Sequence, residues 1–390
     1  MTAPTQRPAG KHRMGAFSRY VVIPLILVCV GIVIGQRFLR PERSQPSPIE
    51  AAAAAPPPIA STTQPEEPPL IQASGQFQNN LYPSLILSLG TADPDYARFL
   101  EVRLSQMPRS GALQLRVESP LLREPLIVAL SPGSTTAELN PILPWNYEAL
   151  RRVSQDQPQA FVVSVVEAER TLAQATVACV IHAVNQVVSR VISPATGGWQ
   201  DTSICFAGIV NEDHPAIDTL LRDAIRRGAM PSFTGYQGDA RVLLAQLDAI
   251  WEVLSQRGLH YVDLSITSSV TPGIATQSVR FVDQSLRDQG ANCVDASVLF
   301  ASILKRIGLR PVLVFKPGHC FVAVYDSAEG GELIGIETTL LGYAPFRAAL
   351  ASGATELQQT LPYLGSPGYS TVDICVARQQ GVSAIGSLDP

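Results

Sequence analysis

The sequence predicts an α+β protein: a nucleophile-bearing helix packed on an antiparallel sheet, preceded by a β-sandwich-like region, behind an N-terminal transmembrane helix and a Pro-rich linker. Three observations carry this expectation. An uncharged apolar run near the N-terminus is followed by a proline-dense stretch. Strand-like runs dominate from 79 to 192. From Asp213 onward the apolar period turns helical, before three β-rich runs close the segment up to Glu337. A chain of 390 residues that is 46% hydrophobic can bury two domain cores beyond an anchor and a linker. Its net charge of −4 is too small to point to nucleic acid or an acidic-lipid surface. It has no basic patch interleaved with aromatics, no phosphate-cradling glycine loop and no internal repeat.

Residues 1–19 form a basic tail with Arg7, Lys11, Arg13 and Arg19 and no acid. The run Tyr20–Gly35 carries no charge. As a helix it spans about 24 Å at ~1.5 Å per residue, short of a bilayer core of about 30 Å unless Ala16, Phe17 and a snorkelling Arg19 extend it. A cleaved signal peptide is the rival reading. Against it, Gln36-Arg37-Phe38-Leu39-Arg40 follows the run instead of a small-x-small site, and Val28 precedes Cys29 where lipid attachment wants a small residue. Residues 20–36 therefore read as a single uncleaved signal anchor, so the protein is expected to be single-pass in a membrane. The inner flank has four basic residues against Arg37, Arg40 and Arg43 outside, a slight bias toward an extracytoplasmic (periplasmic) body. Residues 37–78 read as a disordered Pro/Ala-rich linker, with nine prolines between 41 and 69. A cytosolic body on this stalk stays open.

In the region 79–192, the runs Ala112–Glu118, Pro125–Leu130, Ala160–Val166 and Ala175–Val184 read as strands, with one short helix near Asn146–Val153. Nothing in it suggests chemistry; it reads as a recognition or spacer module or as a structural partner of the nucleophile-bearing region. Within 193–345, Ile217, Leu220, Leu221 and Ile225 form one helical stripe, and Leu243, Leu247, Ile250, Trp251 and Leu254 another. The extension 346–390 holds an Ala/Gly-rich helical stretch, the strand candidate Ser370–Ala377 and a loose end from Gly381.

The chemistry is concentrated between Gly290 and Thr339. Cys293 precedes a helical stripe of Val298, Leu299, Ile303, Leu304 and Ile307, which Gly308 is placed to end. At a helix N-terminus, unpaired N–H groups and the macrodipole favour a thiolate. The runs Pro311–Lys316 and His319–Tyr325 are joined by the turn Pro317-Gly318, and a third run ends at Glu337. A hairpin centred on Ala328 sets His319 opposite Glu337, with Cβ atoms about 4.5–5.5 Å apart. One imidazole nitrogen then addresses Glu337 and the other Cys293, the order that a thiol nucleophile, its base and an orienting acid require. Asp295, in the first helical turn, suits the dipole rather than the base.

These residues resemble the transglutaminase-like superfamily, of the papain-like cysteine peptidase fold, in a membrane-anchored, bacterial-type form. The family pattern is G-x-C before a helix, a histidine opening a strand, and an acid in D-x-T on the next strand. Here it reads G-A-N-C at Cys293, P-G-H-x-F-V at His319 and E-T-T at Glu337, with Glu in place of Asp. The lead-in Gln277–Cys293 is also similar, and the likeness extends over roughly residues 200–345. The resemblance implies a Cys293–His319–Glu337 triad acting on a peptide or protein amide through a thioester, by hydrolysis or transamidation. It implies an oxyanion site made by the Cys293 N–H and, by looser analogy, Gln277, and no cofactor. The alternative is a catalytically silent scaffold of the same fold, working through its β-region.

The other candidates read as structural. Cys179, Cys205, Cys320 and Cys375 lack C-x-x-C spacing, so no metal is expected. A Cys179–Cys205 disulfide stays open for an oxidising compartment. Cys320 should face away from His319, toward a core. His214, before Pro215, reads as a helix start rather than a metal ligand with Glu212 and Asp213. His182 and His260 read as structural residues in apolar surroundings.

Overall fold

The computed structural model describes residues 70–90, 92–134, 136–192, 196–262 and 268–386. The basic tail, the expected anchor and residues 37–69 of the expected linker lie outside the described residues. Among the described residues no helix is long and apolar enough to cross a membrane.

In chain order the first half contains β1 (Leu70–Gly75), an irregular turn α1 (Gln76–Asn79), β2 (Asn80–Leu81), α2 (Pro83–Leu89), β3 (Leu100–Ser105), β4 (Leu113–Glu118), β5 (Leu126–Leu130), β6 (Thr136–Leu139), α3 (Tyr147–Arg151), β7 (Gln157–Glu167), β8 (Arg170–Ile181), β9 (Gln186–Ile192) and β10 (Trp199–Asp201). The second half contains α4 (Pro215–Arg226), α5 (Ala240–Gln256), β11 (His260–Tyr261), β12 (Ser268–Thr271), β13 (Ile274–Ser278), α6 (Val282–Asp288), β14 (Gly290–Ala291), α7 (Cys293–Arg306), β15 (Pro311–Lys316), β16 (His319–Tyr325), β17 (Leu333–Ile336), α8 (Phe346–Thr360), β18 (Ser370–Asp373) and α9 (Ile374–Gln379). The class is mixed α+β.

The first half builds a five-stranded sheet, β2-β8-β7-β4-β5, and a three-stranded sheet, β1-β3-β6. Strict alternation in β3 and β4 buries Leu100, Val102, Leu104, Leu113, Leu115 and Val117. Phe161, Val163 and Val165 of β7 join the same core. Two stretches differ from their sequence reading. Residues 70–78, expected as linker, form β1, paired along its length with β3, and the start of α1. Pro83–Leu89 is a helix, opened by Pro83, where only a helix near Asn146 was expected. Every residue of α2 is buried, so its apolar residues follow no one-sided period and the sequence carries no helical stripe.

The second half is organised by α7 and the antiparallel sheet β17-β16-β15-β18. Val294 to Leu304 of α7 are all buried. Cys320, Val322 and Val324 of β16 share that core with α7, while Phe321 and Ala323 pack with Leu357 of α8 in a second, smaller core. The two faces of β16 thus serve two helices. Helix α8 meets β17 backbone to backbone: a Cβ on Gly353 would lie 2.3 Å from the carbonyl carbon of Gly335. Only glycine on both sides allows this approach.

One hydrophobic cluster runs from Leu81 to Ile385, through both halves of the chain. Strand β9 leaves the first half to pair with β13 in the sheet β10-β9-β13-β12. The C-terminal end is also tied in. Ile385 is buried, its N–H donates to the Gly208 carbonyl at 2.7 Å, and its own carbonyl accepts from Arg151. The expected loose tail therefore begins no earlier than residue 387, outside the described residues. The expected strand Ser370–Ala377 splits after Asp373, whose carboxylate caps α9 by accepting from the Val376 N–H at 3.1 Å.

Candidate active site

Cys293 opens α7, and the preceding residue makes the helix start there. The Asn292 side chain accepts from the N–H groups of Val294 and Asp295, both at 2.9 Å, and the Asp295 carboxylate accepts back from the Asn292 N–H at 3.1 Å. This is a capping box, and N-x-x-D was legible as one in the sequence. Asp295 does more than complement the dipole. Its side chain is almost wholly buried and also accepts from the Arg280 N–H at 2.7 Å and from the Arg280 guanidinium at 2.9 Å. The lead-in between β13 and α6 is thereby fastened to the helix N-terminus. Cys293 itself is half-buried, and its N–H finds no acceptor among the described residues, as the geometry of a first helical residue dictates.

His319 stands at the head of β16, on the face opposite Cys320. Its Nε2 lies 2.8 Å from Glu337 Oε2, and Cys293 is near enough to act on the charge of the ring. With Nε2 engaged, Nδ1 is left for the thiol. The ring lies nearly parallel to that of Phe321, 6.1 Å between centroids.

The hairpin that delivers Glu337 differs in register from the symmetric one expected. Val322 pairs with Ile336 and Tyr325 with Leu333, so the hairpin centres on Glu329 rather than Ala328. Glu337 therefore aligns with Phe321, two residues along from His319. The Asp326–Glu332 loop sets this register through Asp326 N–H to the Glu332 carbonyl at 3.0 Å and through Gly330 and Gly331, both at positive φ. An offset of two keeps the side-chain face, so the acid still reaches the imidazole. Strand β17 ends at Ile336, and Glu337 caps a short 3-10 turn over Thr338–Leu340. Its Oε1 accepts from the Thr339 N–H at 3.0 Å and the Thr339 hydroxyl at 2.7 Å. The Glu337 N–H donates to the Ala349 carbonyl of α8.

The electrostatics follow from these contacts. Burial works against a charged His319, but the influence of Cys293 and Glu337 outweighs it and pushes the imidazole from 6.5 up to about 9. Burial works against a charged Glu337 too, yet the bonds from His319 and Thr339 hold its carboxyl below the usual range. Both shifts favour an imidazolium facing a carboxylate.

The sequence reading missed three neighbours. Ser297, one turn after Cys293, donates to the Cys293 carbonyl at 2.7 Å and meets the Thr338 hydroxyl at 3.1 Å, tying the nucleophile turn to the acid's segment. Thr339 orients the acid. Glu356 of α8 places its carboxylate beside His319 and Glu337, the three offering ligand atoms within 4.8 Å of one another, and it is paired with Lys316. Residue type at one-turn spacing from Cys293 was a signal for Ser297; nothing local marked Glu356.

The remaining candidates are accounted for by other contacts. Gln277 lies in β13, and its amide donates to the Ser278 carbonyl at 3.2 Å. His214 caps α4 by accepting from the Ala216 N–H, while Glu212 is paired with Arg378 and Asp213 with Arg306. His182 stacks on Tyr82 between Asp156 and Asn80. His260 is exposed rather than enclosed by apolar residues, with a ring nitrogen on the Gly258 carbonyl. Cys179 and Cys205 are each free and buried, so the disulfide left open by the sequence is not formed. Burial pushes their thiols up to about 11 and about 12. Cys320, also fully buried, is pushed well up by the same cause. Neither the protein-family models nor the curated protein sequences compared with this chain match it.

Proposed function

We propose that the protein is a transglutaminase-like cysteine acyl-transfer enzyme that hydrolyses or transamidates peptide amides. The observation that supports it is a single imidazole, His319, held at 2.8 Å by the buried Glu337 carboxylate and near enough to Cys293 for that residue to act on its charge. The N-terminus of α7 and the imidazole beside it place Cys293 where a thiol nucleophile and its base are required.

In this reading the thiolate attacks the amide carbonyl carbon, and the tetrahedral oxyanion takes the Cys293 N–H as one donor. Gln277 is proposed as a second donor by analogy only. The C–N bond then breaks as His319 gives its proton to the leaving amine, and a thioester remains on Cys293. His319, now neutral, takes a proton from water or from a second amine, which attacks the thioester and frees the thiol. Glu337, fixed by Thr339, holds the ring in one orientation throughout. Residues 20–36 are proposed to anchor this body to a membrane, on its extracytoplasmic side.

The test is the rate of Cys293 alkylation in the full chain across pH 5–9, for wild type, Cys293→Ala and His319→Ala. The reading expects labelling that needs Cys293, persists at acid pH and weakens without His319. Labelling no faster than that of an ordinary thiol with pKa about 8.5, or none in the folded chain, would overturn it.

A further inference from the structure

Three elements converge on the α8 face of the sheet. His319 comes from the head of β16, Glu337 from the end of β17 and Glu356 from α8, with ligand atoms within 4.8 Å of one another. One imidazole nitrogen and two carboxylates form a mixed N/O donor set of the kind that zinc takes. A tetrahedral zinc with bonds of about 2.0–2.1 Å holds neighbouring donors about 3.4 Å apart. The His319–Glu337 separation of 2.8 Å is shorter than that and the outer limit of 4.8 Å longer, so side-chain shifts of about 1 Å bring the three donors to the ion. Glu337 already has the outer support that metal-bound carboxylates use, two hydrogen bonds from Thr339 on the oxygen turned away from His319. Lys316 sits directly across from His319 in the β15–β16 pairing and places its ammonium on Glu356. Two carboxylates thus face two single positive charges, the imidazolium and the ammonium.

We propose that His319, Glu337 and Glu356 bind Zn²⁺, and that the bound ion silences Cys293. The binding stands on the geometry of the three side chains; the silencing rests on the reading of Cys293 and His319 as a catalytic pair. A dication replaces the two single charges with no change in total. The Nε2–H bond of His319 breaks as the Zn–Nε2 bond forms, and the proton passes to bulk water. The Lys316 ammonium, partly exposed already, swings into solvent and releases Glu356. No electron moves. The His319 ring then keeps its remaining proton on Nδ1, facing Cys293, and has no lone pair with which to accept another.

The experiment is calorimetric titration of metal-free full chain with zinc chloride, comparing wild type with Glu356→Gln, Lys316→Met and Cys293→Ala, each checked for native circular dichroism. Wild type is expected to bind one ion. Glu356→Gln should bind at least ~10–100-fold more weakly, the loss that follows even from removing an outer partner of a metal ligand. Lys316→Met keeps all three ligands, removes the competing ammonium and should bind more tightly. Equal affinity in wild type and Glu356→Gln would overturn the proposal. If Glu356→Gln does not fold, Lys316→Met decides: binding no tighter than wild type overturns it. Binding lost in Cys293→Ala but kept in Glu356→Gln would put the ion on the thiol and overturn the three-residue set. None of these readouts needs turnover, so a protein that binds zinc as expected but fails the alkylation test refutes the catalytic reading alone.

Discussion

Glu337→Gln keeps the shape of the acid and removes its charge. The rise of His319 from 6.5 to about 9 corresponds to roughly 3 kcal/mol in favour of the imidazolium, supplied by Cys293 and Glu337 against the opposition of burial. A hydrogen bond to a charged partner is worth about 1.5–3 kcal/mol, so the substitution removes a large part of that preference. Less imidazolium means less thiolate at acid pH. A thiol of pKa about 8.5 is only ~0.3% ionised at pH 6, which limits how far labelling can fall. Between these bounds, alkylation of Cys293 at pH 6 should slow about 10- to 100-fold in Glu337→Gln, while the two proteins converge above pH 9. The assay is pseudo-first-order iodoacetamide labelling of the full chain, read by intact mass. Rates for Glu337→Gln indistinguishable from wild type across pH 5–9, with the fold intact, would show that Glu337 does not hold His319 charged.

Stability should depend on pH through the same pair. Because the folded His319 pKa is raised, its contribution is fully present below about 6.5 and is lost as pH rises through about 9; thermal melts of wild type should lose more across that window than melts of His319→Gln. Arg378 binds both oxygens of Glu212, at 3.0 and 2.8 Å, and also donates to the carbonyls of Ala207, Val210 and Val382. Arg378→Met leaves a partly buried carboxylate unpaired and should cost about 3 kcal/mol in denaturant unfolding, the low end for breaking a buried pair. Gly353→Ala drives a Cβ into the Gly335 backbone and should cost about 1–3 kcal/mol, slowing Cys293 labelling as well because α8 receives the Glu337 N–H. Asn292→Ala removes a cap that accepts two N–H groups and should lower stability by about 1 kcal/mol, read as a shifted urea midpoint.

Local signals in the chain announced most of the candidate site. The cysteine, its helix and the strands on either side of His319 all show in short-range patterns: a stripe at helical spacing, a Pro-Gly turn and alternating β-branched runs. The hairpin register did not, because loop symmetry says nothing about how Asp326 and Glu332 close the loop. The error was harmless only because it was even. Helix α2 hid because a helix buried on all sides carries no stripe, and α9 because Asp373 ends a strand and caps a helix within one apolar run. Glu356 lies 37 residues after His319 in sequence, and the tertiary packing of α8 on β16 and β17 brings the two together. A sequence read by period and turn chemistry has no access to such a contact.

The pairing of β9 with β13 has a practical consequence. Any cut that separates residues before 192 from those after it divides a sheet, not a linker. The C-terminal fragment would keep Cys293, His319 and Glu337 but would expose the backbone of β13 along its β9-facing edge, the same strand that leads through Arg280 to Asp295 and the helix bearing Cys293. Unpaired edges of this kind recruit other chains. Fragments expressed separately should aggregate alone and recover each other when co-expressed, which makes the chain better suited to complementation than to dissection.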